Sequence, residues 1–150
     1  MASASPKPGA VLFGYDGSEL AQLAIEEAAR ELAPGREALV LCVWQPADVG
    51  FVPPEEPFDA QDALEVQRAA EATAARGAAL AEKAGFRVEA VALQAAPTWK
   101  GIVEAAENRG ASLIVLGTHR RSGIAGHLLG SVTAAVVAHS AVSVLVVHQR

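Results

Sequence analysis

Leu113-Ile-Val-Leu-Gly-Thr-His-Arg-Arg-Ser-Gly-Ile-Ala-Gly-His-Leu-Leu-Gly130-Ser131-Val-Thr-Ala-Ala-Val-Val-Ala-His139 decides the reading of this chain. It opens on an apolar run, Leu113 to Leu116, that reads as a buried strand, and it closes on Val132 to His139, which reads as a helix. Between them lies a loop punctuated by Gly117, Gly123, Gly126 and Gly130. A strand, a glycine loop and a helix start in that order suit an anion such as a phosphate. Glycine lets the backbone approach closely, and the first N–H groups of the helix have no partner within it. The charge agrees, because no Asp or Glu follows Glu107, while Arg120 and Arg121 sit inside the loop. Adjacent cations there offer charge-assisted bonds to phosphate oxygens.

Working outward, five short runs have strand character: Ala10–Tyr15, Ala38–Trp44, Arg87–Leu93, Ser112–Gly117 and Val142–His148. Most are continuous in Val, Leu and Ile, as strands covered on both faces are. Helical patterns separate them. Ser18 is placed to cap a helix carrying Leu20, Ala24, Ala28 and Leu32 on one face, with Pro34-Gly35 as its stop. From about Asp59 to Ala84, the positions Ala63, Val66, Ala70, Thr73, Gly77, Leu80 and Ala84 alternate spacings of three and four. Thr98 is expected to cap a third helix with Ile102, Val103 and Ala106 inside, ended by Gly110. The stretch Pro46 to Pro57 reads as a long loop. Alternating strands and helices imply a doubly wound parallel sheet with helices on both faces and a ligand crevice beyond the strands' carboxyl ends.

Composition narrows the function. The chain has 150 residues, 51% of them apolar and 19% charged, which fits one folded domain over residues 10–150 behind a floppy tail, residues 1–9. A net charge of −5 argues against nucleic acid or an anionic membrane as partner. The lone Cys42 excludes an internal disulfide framework, and its apolar neighbours make it a small core residue. No run of about eighteen apolar residues is present to cross a bilayer, and the N-terminus lacks the apolar stretch of a secretory signal. The expectation is a cytoplasmic protein.

The first strand ends in Gly14-Tyr15-Asp16-Gly17-Ser18. An acid at that position faces the crevice and accepts hydrogen bonds from a base or ribose, although Asp-Gly is also common turn chemistry. Motifs for catalysis are missing: no P-loop, no dinucleotide fingerprint and no nucleophile elbow. His119, His127, His139 and His148 form no metal-binding pattern, and Trp44 and Trp99 read as packing residues.

At these residues the chain resembles a universal stress protein, from about Val11 to Val147. The resemblance rests on Asp16-Gly17-Ser18, on Ile102-Val-Glu-Ala-Ala106, and above all on the tail. There Gly117, Gly130 and Ser131 match the family's nucleotide signature, Gly-x2-Gly-x9-Gly-Ser/Thr. The second signature glycine is Arg120 in this chain. Arginine resists positive φ, and two consequences stay open: its side chain fills the phosphate space, or it binds the phosphate itself. Val142-Ser143 stands where relatives often have Cys-Pro.

The resemblance implies a strand order 3-2-1-4-5 and ATP as ligand, with or without Mg. Adenine and ribose would lie near Asp16 and Val43, with Tyr15 and Leu116 on the base side. Ribose and phosphates would follow Gly117, His119, Arg120, Gly130, Ser131, Val132 and Thr133. It implies a regulator in the stress response with at most slow ATP hydrolysis. The alternative is a member that binds no nucleotide and works as a dimeric protein-interaction module. Val142 to Val147 would form an apolar edge strand, and an edge invites pairing with a second copy. A homodimer and further, unidentified protein partners are therefore expected.

Overall fold

The computed structural model describes residues 8–46, 60–118 and 129–149. Within them the elements run β1 (Val11–Gly14), α1 (Glu19–Glu31), β2 (Glu37–Trp44), α2 (Ala60–Lys83), β3 (Arg87–Gln94), α3 (Thr98–Asn108), β4 (Leu113–Thr118), α4 (Ser131–His139) and β5 (Ser143–His148). The strands form one parallel sheet in the order β3-β2-β1-β4-β5, the order expected. Side chains alternate along each strand, so each face of the sheet has its own core. Val11, Phe13, Val40 and Val115 meet α1 and α2 on one face, where Phe13 and Phe86 pack edge to face at 5.3 Å. Leu12, Leu41, Ile114 and Leu116 meet Ile102, Val103 and Ala106 of α3 and Val136 of α4 on the other.

Ser18 caps α1 as its chemistry predicts: its Oγ accepts from the Ala21 N–H at 3.1 Å. Thr98 does not cap α3. It is the first helical residue, Pro97 holds the cap position, and no side chain bonds the helix start there. Gly110 closes α3 at φ +65, a backbone angle that suits glycine. On α2 the buried line runs Val66, Ala70, Ala74, Gly77 and Ala81, while Ala84 is exposed. Strict alternation of three and four averages less than the helical repeat, so a line of that period drifts off the buried face. The helix also ends at Lys83, before Ala84. Cys42 and Trp44 are buried against Val66, Ala70 and Ala74, which makes both of them packing residues. Trp99 stacks on His139, the last residue of α4, with ring centroids 4.2 Å apart. Most of the Pro46–Pro57 loop lies outside the described residues.

Candidate functional site

The central strand is the shortest. β1 ends at Gly14 opposite Leu41 of β2, and the Tyr15 N–H makes one more bond to the Leu41 carbonyl at 2.9 Å. Asp16 and Gly17 then turn the chain away, Gly17 at φ +84. β2 continues to Trp44 and β4 to Thr118, so both outrun β1 and wall a crevice above its end. In a parallel strand, alternate residues direct their N–H and C=O to opposite sides. Leu41 faces β1 and Trp44 faces β3, where its carbonyl takes the Ala95 N–H at 3.2 Å. Val43 therefore turns both backbone groups towards the crevice, beyond the end of β1. One donor and one acceptor stand side by side there.

The inner part of the crevice is a cavity of about 180 Å³. Leu41, Val43, Ile102, Leu116 and Val132 make it largely apolar, with Tyr15, Asp16, Ser18, Thr98 and Thr133 as its polar side chains. It opens into a wider recess of about 550 Å³ lined by Thr118, Gly130, Ser131 and Thr133. Asp16, Ser18, Leu20, Gly117, Val132 and Thr133 belong to both. Asp16 serves as a turn residue and as a crevice residue together. Its Oδ1 accepts from the Ser18 N–H at 3.0 Å, which leaves the other oxygen for a further donor. Tyr15 is buried, and its ring lies against α2 where Gly77 is bare. A Cβ on Gly77 would stand 2.6 Å from the Tyr15 ring.

The recess ends on the start of α4. Gly130 takes the cap position without a side-chain bond, and the first intrahelical bond is from the Ala134 N–H to the Gly130 carbonyl at 2.9 Å. The N–H groups of Ser131, Val132 and Thr133 precede that bond and face no intrahelical acceptor. Two threonines fix this helix start to β4. Thr118 Oγ1 accepts from the Gly130 N–H at 3.3 Å, and the Thr133 hydroxyl donates to the Gly117 carbonyl at 3.4 Å. Both threonines are buried. Gly117 is bare for a packing reason: an added Cβ would lie 2.6 Å from Leu20 Cγ and 3.0 Å from the Leu20 carbonyl. Gly130 differs, since a Cβ there meets nothing within 4 Å.

The structure thus brings Tyr15, Asp16, Val43, Leu116, Gly117, Gly130, Ser131, Val132 and Thr133 to one crevice. His119 and Arg120 lie outside the described residues, as do Arg121, Gly123, Gly126 and His127. Sequence reasoning missed Ser18, Thr98 and Thr118 as crevice residues. The sequence marks Ser18 and Thr98 only as caps, and it places Thr118 in the glycine loop, beyond a strand expected to end at Gly117.

Fold and crevice together define a three-layer α/β protein whose open site lies where the strand order reverses. The chain belongs to the universal stress protein family, whose model matches residues 9–148. It is 34% identical over 143 residues to a universal stress protein of Mycolicibacterium smegmatis, covering 93% of this chain and 46% of that protein. Universal stress protein Rv2005c of Mycobacterium tuberculosis is 33% identical, with 96% of this chain and 47% of that protein covered. The chain therefore spans about half the length of the curated relatives it matches. Among solved structures, hypothetical protein MJ0577 superposes with a TM-score of 0.76 at 26% identity, covering 95% of this chain and 96% of that one. A universal stress protein in complex with cAMP superposes with a TM-score of 0.67 at 25% identity, covering 95% and 98%. Among the described residues no helix is long and apolar enough to cross a membrane.

Proposed function

We propose that the crevice binds an adenine nucleotide, ATP with or without Mg, and that binding rather than turnover is the output of this stress-response protein. One observation carries the reading: an apolar cavity sized for a flat heterocycle opens directly onto the free N–H groups of a helix start. Val43 N–H and C=O match the acceptor and donor on the edge of adenine. The unengaged oxygen of Asp16 accepts from ribose hydroxyls. The phosphates extend to the N–H groups of Ser131, Val132 and Thr133, where the helix dipole favours negative charge. Gly117 and Leu116 flank the base, and Tyr15 backs it from the α2 side. By the signature spacing His119 and Arg120 belong to the phosphate end of this reading, with Arg120 either bonding the phosphates or filling their space. That a structurally similar universal stress protein was solved in complex with cAMP supports an adenine nucleotide as the ligand. Hydrolysis, if any, is slow, and residence is cytoplasmic.

A homodimer through β5 belongs to the same reading. Among the described residues β5 pairs with β4 on one side only, so its outer edge offers backbone groups for a further strand. Residues 129–149 contain no Asp, Glu, Lys or Arg. On α4, Val137 is exposed at 46%. A charge-free edge and helix face suit a second copy, and further protein partners would engage the assembled dimer.

Calorimetric titration of ATP–Mg into the wild type and Gly130→Asp tests the nucleotide. Asp is a good cap residue and has room at position 130, so the variant folds. Its carboxylate then occupies the anion's place, and like charges there cost several kcal/mol, roughly a hundredfold in Kd. Saturable binding that the variant loses supports the reading. No heat and no thermal shift up to millimolar ATP would leave the dimeric interaction module instead.

A further inference from the structure

The base end of the crevice holds a polar side chain that the nucleotide signature does not include. Thr98 opens α3 and lines the inner cavity beside Val43 and Ile102. Gln45, the residue after β2, donates from Nε2 to Thr98 Oγ1 at 3.3 Å. This bond joins the end of β2 to the start of α3 at the cavity wall. One turn further on, Gly101 is bare because Ala95, the residue after β3, leaves no room for a side chain, while Val43 of β2 lies at ordinary contact distance. A Cβ there would stand 2.7 Å from Ala95 Cβ and 3.4 Å from Val43 Cγ1. Thr98 therefore sits on a helix start packed closely on the β3–α3 connection and in contact with Val43.

A hydroxyl has one proton to give and two lone pairs to accept with. Thr98 accepts from Gln45, and among the described residues its proton meets no acceptor. It is a donor, oriented by Gln45, in a cavity whose remaining walls are mostly apolar. The Val43 pair alone does not choose between purines, since guanine also offers an acceptor and a donor on one edge. A fixed third donor adds a requirement that either purine meets at N3 or N7: the base must present an unprotonated ring nitrogen to it.

We infer that Thr98 is a base-reading residue, donating a hydrogen bond from its hydroxyl to a ring nitrogen of the bound purine. The inference rests on the nucleotide reading of the same crevice and assigns part of its hold on the purine ring to a side chain in addition to backbone. Thr98→Val keeps the β-branched shape and removes the proton, leaving the ring nitrogen unpaired in an apolar wall. The variant should melt with the wild type and bind ATP roughly tenfold more weakly, as a buried acceptor without a partner does. Thr98→Ser restores the hydroxyl and should recover most of that loss.

The deciding experiment titrates ATP, 3-deaza-ATP and 7-deaza-ATP into the wild type, Thr98→Val and Thr98→Ser. With one deaza analogue the wild type should fall to the level of the valine variant, and the substitution should then have no effect. Equal ATP affinity of wild type and Thr98→Val overturns the base-reading role while leaving the nucleotide site standing. So does a loss of the same size with all three ligands. Failure of the wild type to bind ATP at all overturns both readings.

Discussion

Gly117 and Gly130 occupy equivalent signature positions in the sequence, yet the structure gives them opposite reasons for lacking a side chain. Gly117 is pressed by Leu20, backbone included. Gly117→Ala should therefore destabilise the fold by about 1–3 kcal/mol, as overpacking does, read from the urea midpoint. Gly130 has open space, so Gly130→Ala should cost less than about 1 kcal/mol while weakening ATP, because its methyl group enters the recess. A large stability loss at Gly130 would contradict the open helix start. Arg120 is the third informative residue. If it binds phosphate, Arg120→Gly, which restores the signature, lowers ATP affinity by roughly tenfold through loss of charge-assisted bonds; a tighter complex would show that Arg120 obstructs the site. The spacing of Gly117, Gly130 and Ser131 was legible in the chain because it is local. The clash with Leu20 was not, because β4 and α1 meet only once the sheet is wound.

Elements were legible where a single residue's chemistry sets a boundary. Ser18 caps α1 and Gly110 ends α3 because a hydroxyl and a positive φ act within a few residues. Ser18→Ala should cost about 1 kcal/mol, measured by thermal or chemical unfolding, and leave the other helices intact. The start of α3 was misread because Thr98 resembles a cap in composition, while its partner, Gln45, comes from another element. The inner face of α2 was misread in its details, since small side chains mark a stripe without fixing its phase. α4 depends on β4 through Thr118 and Thr133. Thr133→Val removes the bond to the Gly117 carbonyl and should destabilise by about 1–3 kcal/mol. Hydrogen exchange should show the first turn of α4 opening before the rest of the molecule.

At the scale of the whole molecule, the order of five parallel strands followed from alternating apolar strands and helical stretches together with the family resemblance. The crevice depends on strand lengths, which periodicity does not fix to the residue. β1 stopping at Gly14 while β2 and β4 run on is a fact of register. The outer edge of β5 is where the proposed dimer would form. Val146→Lys places a charge in the middle of that edge and should convert a dimer into monomer by light scattering; an unchanged dimer rules the edge out as the interface. The M. smegmatis and M. tuberculosis relatives are about twice as long as the region matched, so one of their chains has room for two such units. The stack of Trp99 on His139 couples α3 to α4. The first turn of α3 begins at the inner cavity, and the last residue of α4 belongs to the helix that starts at the wider recess. Indole emission depends on the ring stacked against it, so any ligand that shifts one helix relative to the other alters the fluorescence. The protein carries an unlabelled optical gauge of its own occupancy.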